Sequence, residues 1–309
     1  MPATAHNTIL ADSRPLTRVE VGPAPRALAL FALTKPRLAL FSIFSAMAAY
    51  VAVDSALGWT RLLVAFLGIS LAAGGALSLN QWWERSLDAR MRRTANRPLP
   101  RQALRPPTAL FFSLALSGAG VGLLAVGVTL LSALVAAMII ILYGLIYTPL
   151  KQRTNWATEI GSISGALPPV LGAAAAGDPL NPVAWTLAMI LLFWQMPHFY
   201  GIGWLHREDY RRAGFQLLPA IDETGGRTGQ WSWIYSLLLL VLTPIPWALG
   251  WLGPVYGIPA ILGGGWLLWR AWLFRCDHGD RRGTARKMFL AGVVYLPIIL
   301  AIVVLDSWL

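Results

Sequence analysis

Apolar residues occur along this chain in long runs, and polar residues collect in the segments between the runs. A membrane-spanning helix needs about 20 mostly apolar residues. Nine runs approach or reach that length, at residues 38–57, 62–79, 108–128, 131–150, 156–176, 183–204, 231–252, 254–269 and 288–305. The pattern therefore predicts an all-α polytopic membrane protein, a bundle of nine transmembrane helices.

The composition agrees with a membrane location. Of the 309 residues, 56% are hydrophobic and 13% are charged, and the mean hydropathy is +0.58. Soluble domains are about 45–50% apolar and about 25% charged, so an ordinary soluble domain is excluded. Membrane topology and attraction to anionic lipid or substrate explain the net charge of +11 without nucleic acid as a partner.

The basic residues indicate the orientation of the helices, because cytoplasmic loops of membrane proteins carry an excess of Lys and Arg. If the N-terminus is cytoplasmic, 24 of the 25 basic residues fall in inside segments, and only Arg61 falls outside. We therefore predict a multi-pass protein of the bacterial inner membrane with a periplasmic C-terminus. The helices are expected to surround a central cavity that opens to the cytoplasmic side.

The N-terminal segment differs from the rest of the chain. Residues 1–27 are polar and lack the apolar core of a signal peptide. They are interpreted as a mobile cytoplasmic tail, followed by one transmembrane domain at residues 28–309. The single cysteine, Cys276, permits neither an internal disulfide nor a cysteine metal cluster.

Candidate chemistry begins in the polar segment after the second apolar run. Asn80, Glu84 and Asp88 are spaced by four residues, so on a helix they share one face and drift by about 40° per step. Carboxylates at a membrane surface suit Mg²⁺, which takes one or two of them and completes its shell with water and phosphate oxygens. Nearby arginines supply planar forks for phosphate oxygens. These arginines include Arg92, Arg93 and Arg97.

A simpler interpretation of this segment is a solvated helix end. Glu84 and Asp88 would then pair with neighbouring arginines and serve only the topology. However, topology requires arginines and not acids, and the acids are in register with Asn80.

A second polar segment, residues 194–219, carries His198 and Asp209. On one continuous helix these two residues would lie on the same face, about 16 Å apart along the axis. Asp209 would join the surface carboxylates, while His198 would lie deeper and face a cavity, since ionisable groups at that depth are costly. The alternative for His198 is a neutral imidazole hydrogen-bonded to a neighbouring helix. Pro197 predicts a kink beside it.

Two other stretches fit the same arrangement. Residues 147–155 place Lys151 and Arg153 at a third cytoplasmic corner. Residues 161–177 form a run of small residues, which either permits close helix packing or lines a cavity. Glu159 lies one turn into the predicted span of residues 156–176, and we assign it no role.

These motifs together resemble the haem-prenylating branch of the UbiA-type intramembrane prenyltransferases. The likeness rests on several motifs found in the family's order, and the helix layout extends it to nearly the whole chain. The motifs are Asn80-x3-Glu84-x3-Asp88-x2-Met91-x-Arg93-Thr94-x2-Arg97-Pro98-Leu99-Pro100, Tyr147-Thr148-x2-Lys151-x-Arg153, Gly165-Ala166-x-Pro168-Pro169-x2-Gly172, Trp194-Gln195-x-Pro197-His198-Phe199, Asp209-Tyr210-x2-Ala213-Gly214 and Leu218-Pro219.

Two positions depart from the wider superfamily. Glu84 stands where the first motif more commonly has Asp; its longer side chain can still ligate Mg²⁺, in a slightly different position. His198 occupies the place where quinone-type relatives have an acid, which favours haem over a phenolic acceptor.

The resemblance implies farnesyl diphosphate and haem b as substrates, Mg²⁺ as the cofactor, and haem O and diphosphate as products. A haem A synthase or the assembly factors of a terminal oxidase would act downstream. The implied catalytic residues are Asn80, Glu84, Asp88, Lys151, His198 and Asp209, of which Glu84, Asp88 and Asp209 would ligate the metal. The implied substrate-binding residues are Arg92, Arg93, Arg97, Tyr147, Arg153, Trp194, Gln195, Arg207 and Tyr210.

Two other functions are compatible with parts of this sequence. A prenyltransferase acting on a quinone or chlorophyll-type acceptor would use the same diphosphate end. A transporter would also have intramembrane charge and broken helices. Against a transporter, the charged motifs all lie at one predicted membrane face, and the sequence shows no repeated halves.

Overall fold

The computed structural model describes residues 26–53, 58–277 and 279–309. Most of the predicted tail, residues 1–25, lies outside the described residues. The last two residues of that segment begin a short helix, α1, which the apolar pattern did not predict.

The described residues form helices and no strand. In chain order the helices are α1 (Arg26–Leu33), α2 (Pro36–Val53), α3 (Trp59–Trp83), α4 (Arg85–Asp88), α5 (Pro106–Gly127), α6 (Leu130–Ile140), a π-helical segment (Ile141–Tyr147), α7 (Thr148–Leu150), α8 (Ala157–Ala166), α9 (Pro168–Ala176), α10 (Pro182–Leu205), α11 (Arg207–Ala213), α12 (Leu218–Ile221), α13 (Gly226–Leu242), α14 (Ile245–Ala248), α15 (Pro254–Cys276) and α16 (Arg281–Asp306).

The predicted all-α polytopic membrane fold is confirmed. Within the described part of the chain, six helices are long and apolar enough to cross a membrane: Pro36–Val53, Trp59–Trp83, Pro106–Gly127, Leu130–Leu150, Gly226–Ala248 and Arg281–Asp306. The other three predicted spans coincide with α8 and α9 together, with α10 and with α15. The total of nine spans stays a prediction.

Helix α10 lies at the centre of the bundle. It packs against α2, α8, α9, α13 and α16, and its buried face belongs to the largest apolar cluster, together with residues of α15 and α16. The helix that carries the second polar motif is therefore fixed on several sides.

The run of small residues allows helices to approach closely. A methyl group on Gly172 of α9 would lie 1.8 Å from the carbonyl oxygen of Ala46 in α2, and one on Gly165 would lie 2.1 Å from Oε1 of Gln195 in α10. These contacts account for the small residues by packing. The break between α8 and α9 at Leu167 comes directly before Pro168 and Pro169, as expected from the missing amide hydrogens of proline.

Both polar motifs lie at helix breaks. Helix α3 ends at Trp83, and Glu84 has φ −84° and ψ 6° between α3 and α4. Helix α10 ends at Leu205, and His206 separates it from α11. The condition of one continuous helix through His198 and Asp209 is therefore not met, so the shared face and the axial separation derived from it do not apply.

Candidate active site

The three residues of the first acidic motif are buried, although they follow a membrane span. Asn80 is 1% exposed, Glu84 4% and Asp88 0%. The backbone amide of Asp88 donates to the carbonyl of Glu84 at 2.8 Å, so the four-residue spacing is kept through the break.

Each acid of this motif is paired with a cation. Oε1 of Glu84 lies 2.8 Å from Nζ of Lys151. Nη1 of Arg97 donates to Oδ1 of Asp88 at 2.8 Å and to Oδ2 at 2.7 Å. Carboxylates as buried as these do not form a solvated helix end. The interpretation of a merely topological charge cluster is therefore contradicted.

Lys35 is a site residue that the sequence analysis counted only for topology. It lies between α1 and α2, and its Nζ donates to Oδ1 of Asn80 at 2.7 Å. Burial, reinforced by the charge of Arg97, lowers the pKa of Lys35 to about 7. Its φ of 45° is uncommon for a residue other than glycine. The available signal was a lysine placed directly before the proline that begins the first span.

Helix α1 holds Lys35 at this position. Nε2 of Gln81 donates to the carbonyls of Ala32 and Leu33, the last residues of α1, at 3.1 and 2.9 Å. Leu33 is fully buried in a cluster with Leu99 and Leu104 of the loop that follows α4. The chain therefore enters α2 from a fixed direction.

The π-helical segment carries Tyr147 and leads to Lys151. Its last hydrogen bond joins the amide of Thr148 to the carbonyl of Tyr143, and Oγ1 of Thr148 accepts from Nδ2 of Asn80 at 3.1 Å. Nζ of Lys151 lies 4.5 Å from the centre of the Tyr147 ring. Burial lowers the pKa of Lys151, but the Glu84 carboxylate and nearby tyrosines outweigh it, so the pKa is raised above its ordinary value.

The second acidic motif meets the first through two arginines. Oδ1 of Asp209 accepts from the backbone amide of Arg92 at 3.3 Å and also from the guanidinium of Arg212. Burial opposes ionisation of Asp209, but hydrogen bonds from Arg212 and from the backbone of Arg92 lower its pKa. Nη2 of Arg93 donates to the hydroxyl of Tyr210 at 3.3 Å. The two polar segments predicted to cooperate are thus in contact.

His198 lies in neither group of charges. Its ring stacks on Trp194 at 4.9 Å and contacts the ring of Phe289 at 4.7 Å, between α10 and α16. Its Nδ1 is buried and has no hydrogen-bond partner among the described residues. The predicted alternative, a neutral imidazole hydrogen-bonded to a neighbouring helix, stays a prediction, and so does a ligand role for the buried Nδ1.

The other predicted substrate-binding residues have separate surroundings. Nε1 of Trp194 donates to the carbonyl of Gly292 at 2.9 Å. Nε2 of Gln195 donates to carbonyls of Ser162 and Leu191. The Arg207 guanidinium lies 4.1 Å from the centre of the Trp204 ring, and Arg153 is exposed.

The donor set fits a metal that the substrate helps to bind. Among the described residues, no group of three or more His, Cys, Asp or Glu side chains is placed to hold a metal ion. Glu84 and Asp88 nevertheless offer hard oxygen donors one turn apart. Because Mg²⁺ commonly takes one or two carboxylates and fills its shell with water and phosphate oxygens, they suit Mg²⁺ that arrives with a diphosphate.

Two surface cavities lie away from these charges. One of about 410 Å³ is lined by Arg85, Leu99 and Pro106, among others. Another of about 540 Å³ lies at the opposite ends of the helices, against Trp247 and Asp306. Neither is the predicted central cavity, which stays a prediction.

Comparison with known proteins agrees with the fold and the motifs. Residues 39–293 match the UbiA prenyltransferase family, and this chain belongs to that family. A protoheme IX farnesyltransferase of Solibacter usitatus is 40% identical over 284 residues, which cover 89% of this chain and 97% of the relative. One of Opitutus terrae is 38% identical over 274 residues, covering 89% and 92%.

Solved structures share the fold at low sequence identity. A digeranylgeranylglyceryl phosphate synthase has a TM-score of 0.76 at 15% identity and covers 91% of this chain and 98% of its own. A UbiA homologue from Archaeoglobus fulgidus bound to GPP and Mg²⁺ has a TM-score of 0.62 at 12% identity, covering 89% and 99%. The protein is therefore a membrane prenyltransferase.

Proposed function

We propose that this enzyme transfers the farnesyl group of farnesyl diphosphate to a vinyl group of haem b, with addition of water, and gives haem O and diphosphate. This proposal rests on relatives named protoheme IX farnesyltransferase, which align with this chain over almost their whole length at 38–40% identity. The buried acids and cations described above support the diphosphate half of this reaction.

The diphosphate is assigned to the cytoplasmic charge cluster. Lys35, Lys151 and Arg97 are partly buried cations around Asn80 and the two acids of the first motif. Positioned cations stabilise the charge that develops on a leaving diphosphate. Further phosphate contacts are proposed for Arg92, Arg93, Arg153, Tyr147 and Tyr210.

Mg²⁺ is proposed as the cofactor, supported by the Archaeoglobus fulgidus homologue that binds GPP and Mg²⁺. Glu84 and Asp88 would hold it, with Asp209 on the facing segment. When bound, the metal would neutralise charge on the phosphate oxygens. The chain's own cations would orient the diphosphate against it.

The bond changes follow from the substrates. The bond between the farnesyl carbon and the diphosphate oxygen breaks, and its electron pair leaves with the diphosphate. The terminal vinyl carbon bonds to the farnesyl carbon, which leaves a cation at the other vinyl carbon. Water adds there and loses a proton, which the released diphosphate can accept. An apolar chamber keeps water from the first cation.

The acceptor is assigned to the region around His198 in α10. A neutral imidazole with a free nitrogen can ligate haem iron, or it can orient the acceptor and assist the final proton steps. Trp194 and Gln195 lie one turn or less before His198, and Arg207 provides a cation for a propionate at the end of the helix. We further propose the bacterial inner membrane as the location, with a haem A synthase or terminal oxidase assembly factors acting downstream.

A product assay tests this function. The purified protein is incubated with farnesyl diphosphate, Mg²⁺ and either haem b or 4-hydroxybenzoate. The haem or benzoate products are then extracted, and their masses are measured by mass spectrometry. The expected product is haem b enlarged by one farnesyl group and one hydroxyl group. A prenylated 4-hydroxybenzoate without a haem product would assign a quinone-type acceptor instead.

A further inference from the structure

The cytoplasmic end of α15 carries an unusual group of aromatic and basic side chains, which the proposed reaction does not use. We call this group the α15 tip. It consists of Trp266, Trp269, Arg270, Trp272 and Arg275, with Trp233 of the neighbouring α13.

Arg275 is held between indole rings from two helices. Its guanidinium carbon lies 4.9 Å from the centre of the Trp233 ring and 5.2 Å from that of Trp272. The helices approach closely here, since a methyl group on Gly229 would lie 2.9 Å from Cα of Arg275. Gly229 is one turn before Trp233 in α13, so this close approach places the ring against the guanidinium.

Arg270 has a similar environment on the other side of α15. Its guanidinium carbon lies 4.5 Å from the Trp269 ring centre and 5.9 Å from that of Trp266. Its Nε is buried without a hydrogen-bond partner among the described residues. Residue 270 is six positions before the end of α15, so its Cα lies about 9 Å below the helix end. A cation at that depth is costly unless it meets an anion.

Neither arginine has a counterion within the part of the chain that the structure describes. In the described ranges, Arg97, Lys151 and Arg212 pair with carboxylates, whereas no ion pair or hydrogen bond joins Arg270 or Arg275 to any residue. Membrane orientation depends on the number of cytoplasmic cations; it does not require guanidinium groups fixed on rings at this depth. An external anion would satisfy both groups.

We propose that the α15 tip binds phosphate groups of anionic phospholipids in the cytoplasmic leaflet. Trp269 is 51% exposed, and Leu262 below it on the same face is 69% exposed, so this face suits acyl chains. Trp side chains favour the headgroup level of a bilayer. The cations lie about 140° apart around the helix, one on each side of Trp269, and bind headgroups flanking it. A soluble anion would lack the contact with this apolar face.

Lipid titration of the full-length protein tests the site. Phosphatidylglycerol or phosphatidylcholine is added to the delipidated protein in mild detergent, and the bound lipids are counted by native mass spectrometry. We expect tighter binding of phosphatidylglycerol. The double variant Arg270→Gln/Arg275→Gln should lose about tenfold or more of that affinity, since each basic residue near the headgroups contributes substantially, with unchanged binding of phosphatidylcholine.

A matched control removes two exposed cations elsewhere. Arg101→Gln/Arg105→Gln lowers the net charge equally in the loop before α5 and should bind phosphatidylglycerol like the parent. Prenyl transfer in detergent reports folding, and the α15 double variant should retain it. Three results would overturn the proposal. The parent could bind both lipids with equal affinity, or both double variants could lose equal affinity for phosphatidylglycerol. Inorganic phosphate could also displace phosphatidylglycerol from the parent.

Discussion

One guanidinium nitrogen of Arg97 bridges both carboxylate oxygens of Asp88, at 2.8 and 2.7 Å. Nζ of Lys151 pairs with a single oxygen of Glu84, Oε1, at 2.8 Å. The acids proposed to hold Mg²⁺ are therefore paired with cations of the chain itself. Metal and diphosphate binding should be coupled, because each carboxylate that turns to the metal releases a cation for the phosphate oxygens.

Removing the bridging cation should separate these two effects. Arg97→Gln is expected to increase Mg²⁺ affinity without diphosphate by about tenfold, because the metal no longer competes with a buried ion pair. The same variant should bind a non-hydrolysable farnesyl diphosphate analogue about tenfold more weakly. Isothermal titration of each ligand measures both constants, with Arg101→Gln as the control. Unchanged Mg²⁺ affinity in Arg97→Gln would show that the pair does not compete with the metal.

The carboxylates themselves are expected to be essential for turnover. Glu84→Gln and Asp88→Asn should each lower the rate of prenyl transfer by about 100-fold or more, since metal stabilisation of the leaving group amounts to several kcal/mol. Membrane insertion and expression should stay normal. If both variants turned over at the parental rate, Glu84 and Asp88 would not take part in the reaction.

Diphosphate binding should depend on pH through Lys35. Its pKa of about 7 lies below the ordinary 10.5, so between these values the unfolded chain binds more protons and stability rises with pH. Anion binding has the opposite dependence, because it favours the charged amine. Analogue affinity should fall several-fold from about pH 6 to about pH 8.5, and Lys35→Met should flatten part of this dependence. Titrations in buffers of different ionisation enthalpy should show more proton uptake in the parent than in Lys35→Met; identical uptake in the two proteins would exclude Lys35.

The two ends of the proposed site should be separable by binding. His198→Ala should abolish haem O formation and retain near-parental affinity for the farnesyl diphosphate analogue with Mg²⁺. Asp88→Asn should lose the analogue and retain haem binding, which is followed by haem absorbance. This contrast is expected because His198 contacts aromatic rings of α10 and α16 and lies outside the charge cluster. If both variants lost the same affinity for the analogue, His198 and Asp88 would belong to one binding site.

The orientation in the membrane has a direct test. The distribution of basic residues predicts a periplasmic C-terminus. A reporter fused after Leu309 that is active only in the periplasm should therefore give signal, while the same reporter after Lys151 should give none. A cytoplasmic signal at the C-terminus would contradict the predicted number of spans.

Apolar run length predicted the helices, because burial in lipid depends on composition more than on particular contacts. The spacing of Asn80, Glu84 and Asp88 likewise predicted their grouping. The partners of these acids could not be predicted. Arg97 reaches Asp88 through a turn of irregular backbone, and Lys151 reaches Glu84 through the packing of two helices. Neither contact produces a periodic pattern in the sequence. Lys35 was missed because a lysine before a span is also what topology alone requires.

The π-helical segment makes the chain between α6 and Lys151 one residue longer than an α-helical path. The segment absorbs this extra residue, so the chain after it keeps the orientation that places Lys151 against Glu84. If the same number of residues formed an ordinary α-helix, everything after them would turn by about 100°. Lys151 would then point away from Glu84, although no charged residue had been removed. A homologue with the same charged motifs and an ordinary helix of equal length at 141–147 could therefore have a different anion pocket.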